Sequence, residues 1–313
     1  MTPSSQRHAE PTSDDVSAHP TRTALVLGGG GSTGNAWLIG VLAGLFEAGV
    51  DVTDADLTIG TSAGSTAAAQ VAGATPTELF AAILTAEPLL DTGRGRPPQP
   101  RGSVGSVTDH LDRMRALIAS AEDQADLRRK VGARALELEA ASGGSRQSQW
   151  RATVASRLPS PEWPRRRILI TAVDAETGEP VAFDRESGVD LVDAVAASCS
   201  SGAAYRIGGR AYIDGGYRTN AENADLAAGY ARVLVLSPFG GRSLVPASWG
   251  THLATQLDRL RARGSGVEAI FPGSGFEHLF GANAMDPSLR PPAGRAGYDQ
   301  GRALAAQIAE FWS

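Results

Sequence analysis

The chain has 313 residues, enough for one large α/β domain or two small ones with a sizeable buried core, and its 42% apolar content is that of an ordinary globular protein. A net charge of −5 argues against nucleic acid as a partner and against strong electrostatic adhesion to anionic membranes. Cys199 is the single cysteine, which excludes an intrachain disulfide and a cysteine-ligated zinc site.

Residues 1–22 are polar and rich in Ser, Thr, Asp, Pro and His, with no apolar stretch before a cleavage site. They read as a disordered tail on a cytoplasmic protein, and no apolar run approaches the roughly 20 residues that cross a bilayer. Thr23–Leu27 reads as a first strand leading into a glycine loop. Asn35–Ala48 is the first helix, stopped by Gly49 in the position of a C-terminal glycine cap. Leu57–Ile59 is a short buried strand, and Ala63–Ala72 a small-residue helix ending at Gly73. Thr75-Pro76-Thr77-Glu78 opens a further helix with a capping box and a first-turn proline. Thr92–Gly105 is dense in Gly, Pro and Arg and reads as an irregular loop placed near the cleft mouth. Leu111, Met114, Leu117 and Ile118 mark a helical stripe within 107–141. Strands are expected at Arg167–Val173 and Val181–Phe183, then a helix at Val189–Ser198. A hairpin follows over Tyr205–Asp214, turning at Gly208-Gly209. Arg232–Leu236 and Val267–Phe271 are further strands, and Arg295–Trp312 closes the chain as a helix. Alternating strands and helices predict a parallel sheet covered by helices. Residues 23–313 are expected to form one domain, with a helical insertion at about 92–160.

Gly60-Thr61-Ser62-Ala63-Gly64 is a G-x-S-x-G pattern between a short strand and a helix, the setting of a nucleophile elbow. Such a turn needs small neighbours, and the helix behind Ser62 favours negative charge. Gly28 to Gly31, followed by Ser32-Thr33-Gly34, can converge backbone amides on an oxyanion or a phosphate. Gly29–Gly34 also fits the G-x-G-x-x-G of a dinucleotide fold, but Asp54 and Asp56 precede the second strand instead of ending it. A nucleotide P-loop is excluded: Lys130, the single lysine, lies in a charged stretch far from the glycines. A non-catalytic phosphate or nucleotide binder is the alternative that remains. Tyr212-Ile213-Asp214-Gly215-Gly216 ends a hairpin strand with an aspartate, and such an Asp-Gly-Gly by itself is more often a turn than a base. His252 and His278 do not follow a clear strand, where a triad histidine belongs.

The order of glycine loop, G-T-S-A-G and D-G-G resembles the patatin-like phospholipase family, and specifically its bacterial members. Ala196-Ala197-Ser198-Cys199 and Asn223-Ala224-Asp225-Leu226-Ala227 also look like that family's flanking segments. The resemblance implies a three-layer α/β/α sandwich with a mostly parallel sheet. It further implies Ser62 as nucleophile, Asp214 as base in a dyad without histidine, and the Gly29, Gly30 and Gly31 amides as oxyanion hole. The substrate implied is a lipid or lysophospholipid acyl ester, reached by transient contact with a membrane or lipid aggregate, with no metal or organic cofactor. Two positions depart from the pattern. Thr33 stands where the family has Arg or Lys, which removes a positive charge beside the oxyanion site. The proline-and-aromatic segment is reduced to Ser200–Tyr205.

Overall fold

The computed structural model describes residues 22–85, 107–142 and 145–313. The expected tail, apart from Arg22, and the loop Thr92–Gly105 lie outside the described residues. Strand β1 (Thr23–Leu27) leads into helix α1 (Gly31–Glu47), and β2 (Leu57–Gly60) into α2 (Ala63–Gly73). Helices α3 (Pro76–Thr85), α4 (Val107–Ser120), α5 (Gln124–Ala140) and α6 (Ser145–Ala155) come before β3 (Ile168–Asp174) and β4 (Pro180–Phe183). Helix α7 (Leu191–Ser198) precedes the hairpin of β5 (Tyr205–Ile207) and β6 (Arg210–Asp214). Strand β7 (Arg232–Leu236), helix α8 (Leu253–Ala262), strand β8 (Gly266–Ile270) and helix α9 (Arg290–Trp312) follow.

Local chemistry sets several of these boundaries. The capping box at α3 is closed in both directions: the Thr75 amide donates to Glu78 Oε2 (2.9 Å), and the Glu78 amide to Thr75 Oγ1 (3.3 Å). The expected 107–141 stripe is divided at Asp123, whose carboxylate caps α5 by accepting the Asp126 amide at 2.7 Å. Helix α1 begins at Gly31, four residues before the expected Asn35. Gly34 donates to Gly30 O (3.0 Å) and Thr33 to Ala284 O (3.0 Å), so tertiary contacts wind glycines that propensity alone leaves extended. Helix α6 lies within the expected helical insertion but beyond the 107–141 stripe, and helix α8 is not marked in the sequence. The latter buries the short stripe Leu253, Gln256, Leu257 and Leu260.

The eight strands form one sheet in the order β5-β6-β3-β2-β1-β7-β8, with β4 added on β3. Strands β3, β2, β1, β7 and β8 are parallel, and the β5–β6 hairpin and β4 are antiparallel. Both faces are covered, and the period of two along each strand divides the core. Leu25 and Leu27 of β1 and Leu234 and Leu236 of β7 pack with α1, α2, α7 and α9. Ala24, Val26, Val233 and Val235 pack on the opposite side with α8. Val173 and Ile213 meet α4 and α5. This is a three-layer α/β/α sandwich with a mostly parallel central sheet. Helix α9 runs parallel to α1 at glycine contacts: a Cβ on Gly40 would overlap Gly294 O, and one on Gly44 would overlap Tyr298 O. That packing aligns the start of α9 with the glycine loop.

Candidate active site

The sheet brings the two acid–base candidates together through β3. Gly60, the last residue of β2, pairs with Ile170, and Asp214, the last of β6, pairs with Ala172 two residues further along. Ser62 and Asp214 thus arrive at one end of the sheet although 152 positions apart, and Ser62 Oγ donates to Asp214 Oδ2 at 2.8 Å.

Ser62 is one of two non-glycine residues with positive φ among the described residues, at φ 52° and ψ −116°. A serine there is strained, by an amount on the order of 1–3 kcal/mol, and the surroundings must impose it. The flanking glycines permit the turn: a Cβ on Gly60 would stand 2.6 Å from Ser65 Cα, and one on Gly64 would overlap Leu27 O. The Ser62 amide donates to Ser198 Oγ at the end of α7 (2.9 Å). Its carbonyl accepts Ser65 Oγ (2.6 Å) and the Cys199 thiol (3.1 Å). Cys199 is therefore a ligand of the turn, and burial pushes its thiol up to about 11, which keeps it a neutral donor. Beneath the elbow, Asn223 Nδ2 donates to Thr61 Oγ1 (3.0 Å) and Gly215 O (2.9 Å), and Thr61 and Thr171 hydroxyls meet at 2.9 Å. This buried network couples the serine turn to the aspartate turn.

Asp214 is 7% exposed. Burial raises its carboxyl to about 6, against the lowering effect of the Gly216 amide (2.8 Å to Oδ1) and Ser62. The result is a carboxylate poised near neutrality beside a hydroxyl, as a general base requires. His252 bonds Val245 O (2.8 Å) and His278 bonds Gly275 O (3.1 Å); neither touches the pair. Asp174 accepts the Glu176 and Thr177 amides and closes a turn.

The glycine loop runs alongside. A Cβ on Gly29 would lie 3.5 Å from Ser62 Cβ. Of the three expected donors, the Gly29 amide is engaged by Ala221 O at 2.8 Å. The Gly30 and Gly31 amides have no acceptor among the described residues. Pro238 braces the loop, standing where a Cβ on Gly30 would need to be (2.6 Å). Glu222 was missed in the sequence. It is 1% exposed, lies 3.1 Å from a Cβ position on Gly28, and accepts Ser237 Oγ at 2.6 Å. Burial raises its carboxyl to about 7. No local pattern marks it, because its contacts come from the residues that follow β1 and β7. Among the described residues no group of three His, Cys, Asp or Glu side chains is placed to hold a metal, and no helix is long and apolar enough to cross a membrane.

The profile of the family described as patatin-like phospholipase matches residues 25–227. Among curated protein sequences none matches the chain. Among solved structures, VipD from Legionella pneumophila is similar at 12% identity and a TM-score of 0.42, covering 92% of this chain and 67% of its own. The type III effector protein ExoU is similar at 17% identity and a TM-score of 0.37, covering 92% and 53%.

Proposed function

The chain belongs to the patatin-like phospholipase family, whose members act on lipid substrates, and on that premise we propose that it is a serine hydrolase of fatty-acyl esters of lipids. Residues 23–313 are read as one hydrolase unit, with α4, α5 and α6 inserted between α3 and β3.

In this reading Asp214 accepts the Ser62 proton as Oγ attacks the ester carbonyl. The amides of Gly30 and Gly31 receive the oxyanion, while Gly29 fixes the loop through Ala221. One such donor is typically worth about 100- to 1000-fold in rate. Collapse expels the alcohol, which takes the proton from Asp214, and leaves an ester of Ser62. Water, deprotonated in turn by Asp214, attacks the acyl carbon; collapse expels the Ser62 oxygen, which takes that proton back from Asp214, and releases the fatty acid. The observation that carries this reading is the strained Ser62 turn donating at 2.8 Å to a buried carboxylate raised to about 6. Strain of this kind persists where the surroundings over-determine it, which is the pattern of a working site.

A fluorophosphonate probe tests it. Labelling of Ser62 in the wild-type protein, lost in Ser62→Ala, is the expected result. Tight nucleotide binding with no labelling would return the glycine loop to a phosphate-binding role.

A further inference from the structure

Besides Ser62, the other non-glycine residue with positive φ among the described residues is Asn223, at φ 57°. Strain there, as at Ser62, persists where the surroundings impose it. Asn220 Oδ1 imposes it by accepting the amides of Glu222 (2.9 Å) and Asn223 (2.7 Å). The turn so fixed, 220–223, reaches every part of the site. Ala221 O accepts the Gly29 amide at 2.8 Å. Asn223 Nδ2 ties Thr61, just before Ser62, to Gly215, just after Asp214. Between them, Glu222 meets the glycine loop and the residues that follow β7.

Ser237 Oγ donates to Glu222 Oε1 at 2.6 Å and accepts the Gly241 amide at 2.9 Å. The next residue, Pro238, stands 2.6 Å from a Cβ position on Gly30 and 3.1 Å from one on Gly34. Gly28 is enclosed as well. Its amide donates to Leu236 O (3.0 Å), Glu222 Cγ lies 3.1 Å from its Cβ position, and a Cβ on Gly64 would stand 2.8 Å from its carbonyl oxygen. Glu222 thus lies between Gly28 and Ser237, one residue away from both Gly29 and Pro238. Burial raises its carboxyl to about 7, so the charged form weakens the fold as pH rises through that range. A neutral side chain would not carry that cost. What the carboxyl supplies is an acceptor at a fixed place.

We propose that Glu222 is a positioning residue for the oxyanion hole: through Ser237 it fixes Pro238 against Gly30, and beside Ala221 it sets the direction of the Gly30 and Gly31 amides. This rests on the hydrolase reading above and adds to it a residue outside the dyad and the donor amides.

The test is kinetic, on a soluble uncharged ester. Acylation and deacylation both pass through an oxyanion, so a misdirected loop lowers kcat and leaves KM nearly unchanged. Glu222→Met keeps the length of the side chain and removes the acceptor; Ser237→Ala removes the donor. Each should lower kcat about tenfold, part of the roughly 100- to 1000-fold that loss of a whole donor costs. The double variant should be no worse than either single change, because both act through one bond. Inhibition by a trifluoromethyl ketone, which adds to Ser62 and places an oxyanion in the same hole, should weaken by the same factor. Glu222→Gln keeps an oxygen for Ser237 Oγ and should restore most of the kcat lost in Glu222→Met. Ser237→Ala carries the test if Glu222→Met does not fold. Wild-type kcat in either folded variant overturns the proposal, as does a loss confined to KM or a Glu222→Gln as impaired as Glu222→Met. A wild-type protein that hydrolyses no ester overturns the hydrolase reading and the proposal with it, whereas an active wild type with unaffected variants overturns the proposal alone.

Discussion

If Asp214 is the base, it must be ionised to accept the Ser62 proton, and its environment decides the pH at which activity is lost. Burial raises the carboxyl to about 6, opposed by hydrogen bonds from Gly216 and Ser62 that favour the charged form. Activity is therefore present above that value and falls as pH drops through it. One unit lower, about a tenth of the carboxylates remain ionised, so kcat/KM should stand roughly tenfold below its plateau and fall by one log unit per pH unit. A solvent-exposed aspartate with an ordinary value near 3.8 would hold about nine-tenths of the rate at the same pH. The assay is kcat/KM on a soluble uncharged ester across this range, since that parameter reports the free enzyme, with circular dichroism confirming the fold at each point. A flat profile down to about pH 4.5 in folded protein would show that no buried carboxylate acts as base, and would refute the reasoning.

Three further outcomes follow from particular contacts. Ser62→Gly should be more stable than Ser62→Ala by about 1 kcal/mol, because both lose the hydroxyl but only glycine accepts φ 52° freely; thermal melts of the pair measure it. Glu222 holds its proton to about pH 7 in the fold but releases it near 4.5 when unfolded, so the carboxyl costs stability as pH rises between those values. Glu222→Gln should accordingly exceed wild type in urea melts at pH 8 by up to roughly 3 kcal/mol, with the gap narrowing toward pH 5. His252→Ala and His278→Ala should each keep most ester hydrolysis, and a folded variant of either as inactive as Ser62→Ala would indicate a conventional triad.

The parts of the site legible in the sequence are those written in contiguous residues. Gly60 and Gly64 around Ser62 announce a turn that tolerates no Cβ, and the spacing of Tyr205–Asp214 around Gly208-Gly209 fixes a hairpin that ends on the aspartate. The capping box at Thr75 and Glu78 is equally local. What was not legible depends on residues meeting across the fold. Ser198 holds the Ser62 amide over 136 positions, and Arg290 reaches Ser32 over 258. The early start of α1 has the same origin, since Ala284 O and Pro238 shape the glycine loop from outside it. Engagement of the Gly29 amide by Ala221 likewise follows no local rule.

The central claim is that Ser62 carries the acyl group. It is tested most directly by mixing the protein with an activated short-chain ester, quenching in acid within the first turnover, and mapping the modified peptide by mass spectrometry. The account predicts an acyl adduct on Ser62, absent from Ser62→Ala and strongly reduced in Asp214→Asn. An adduct on any other residue, or turnover without an adduct that persists in Ser62→Ala, would contradict it.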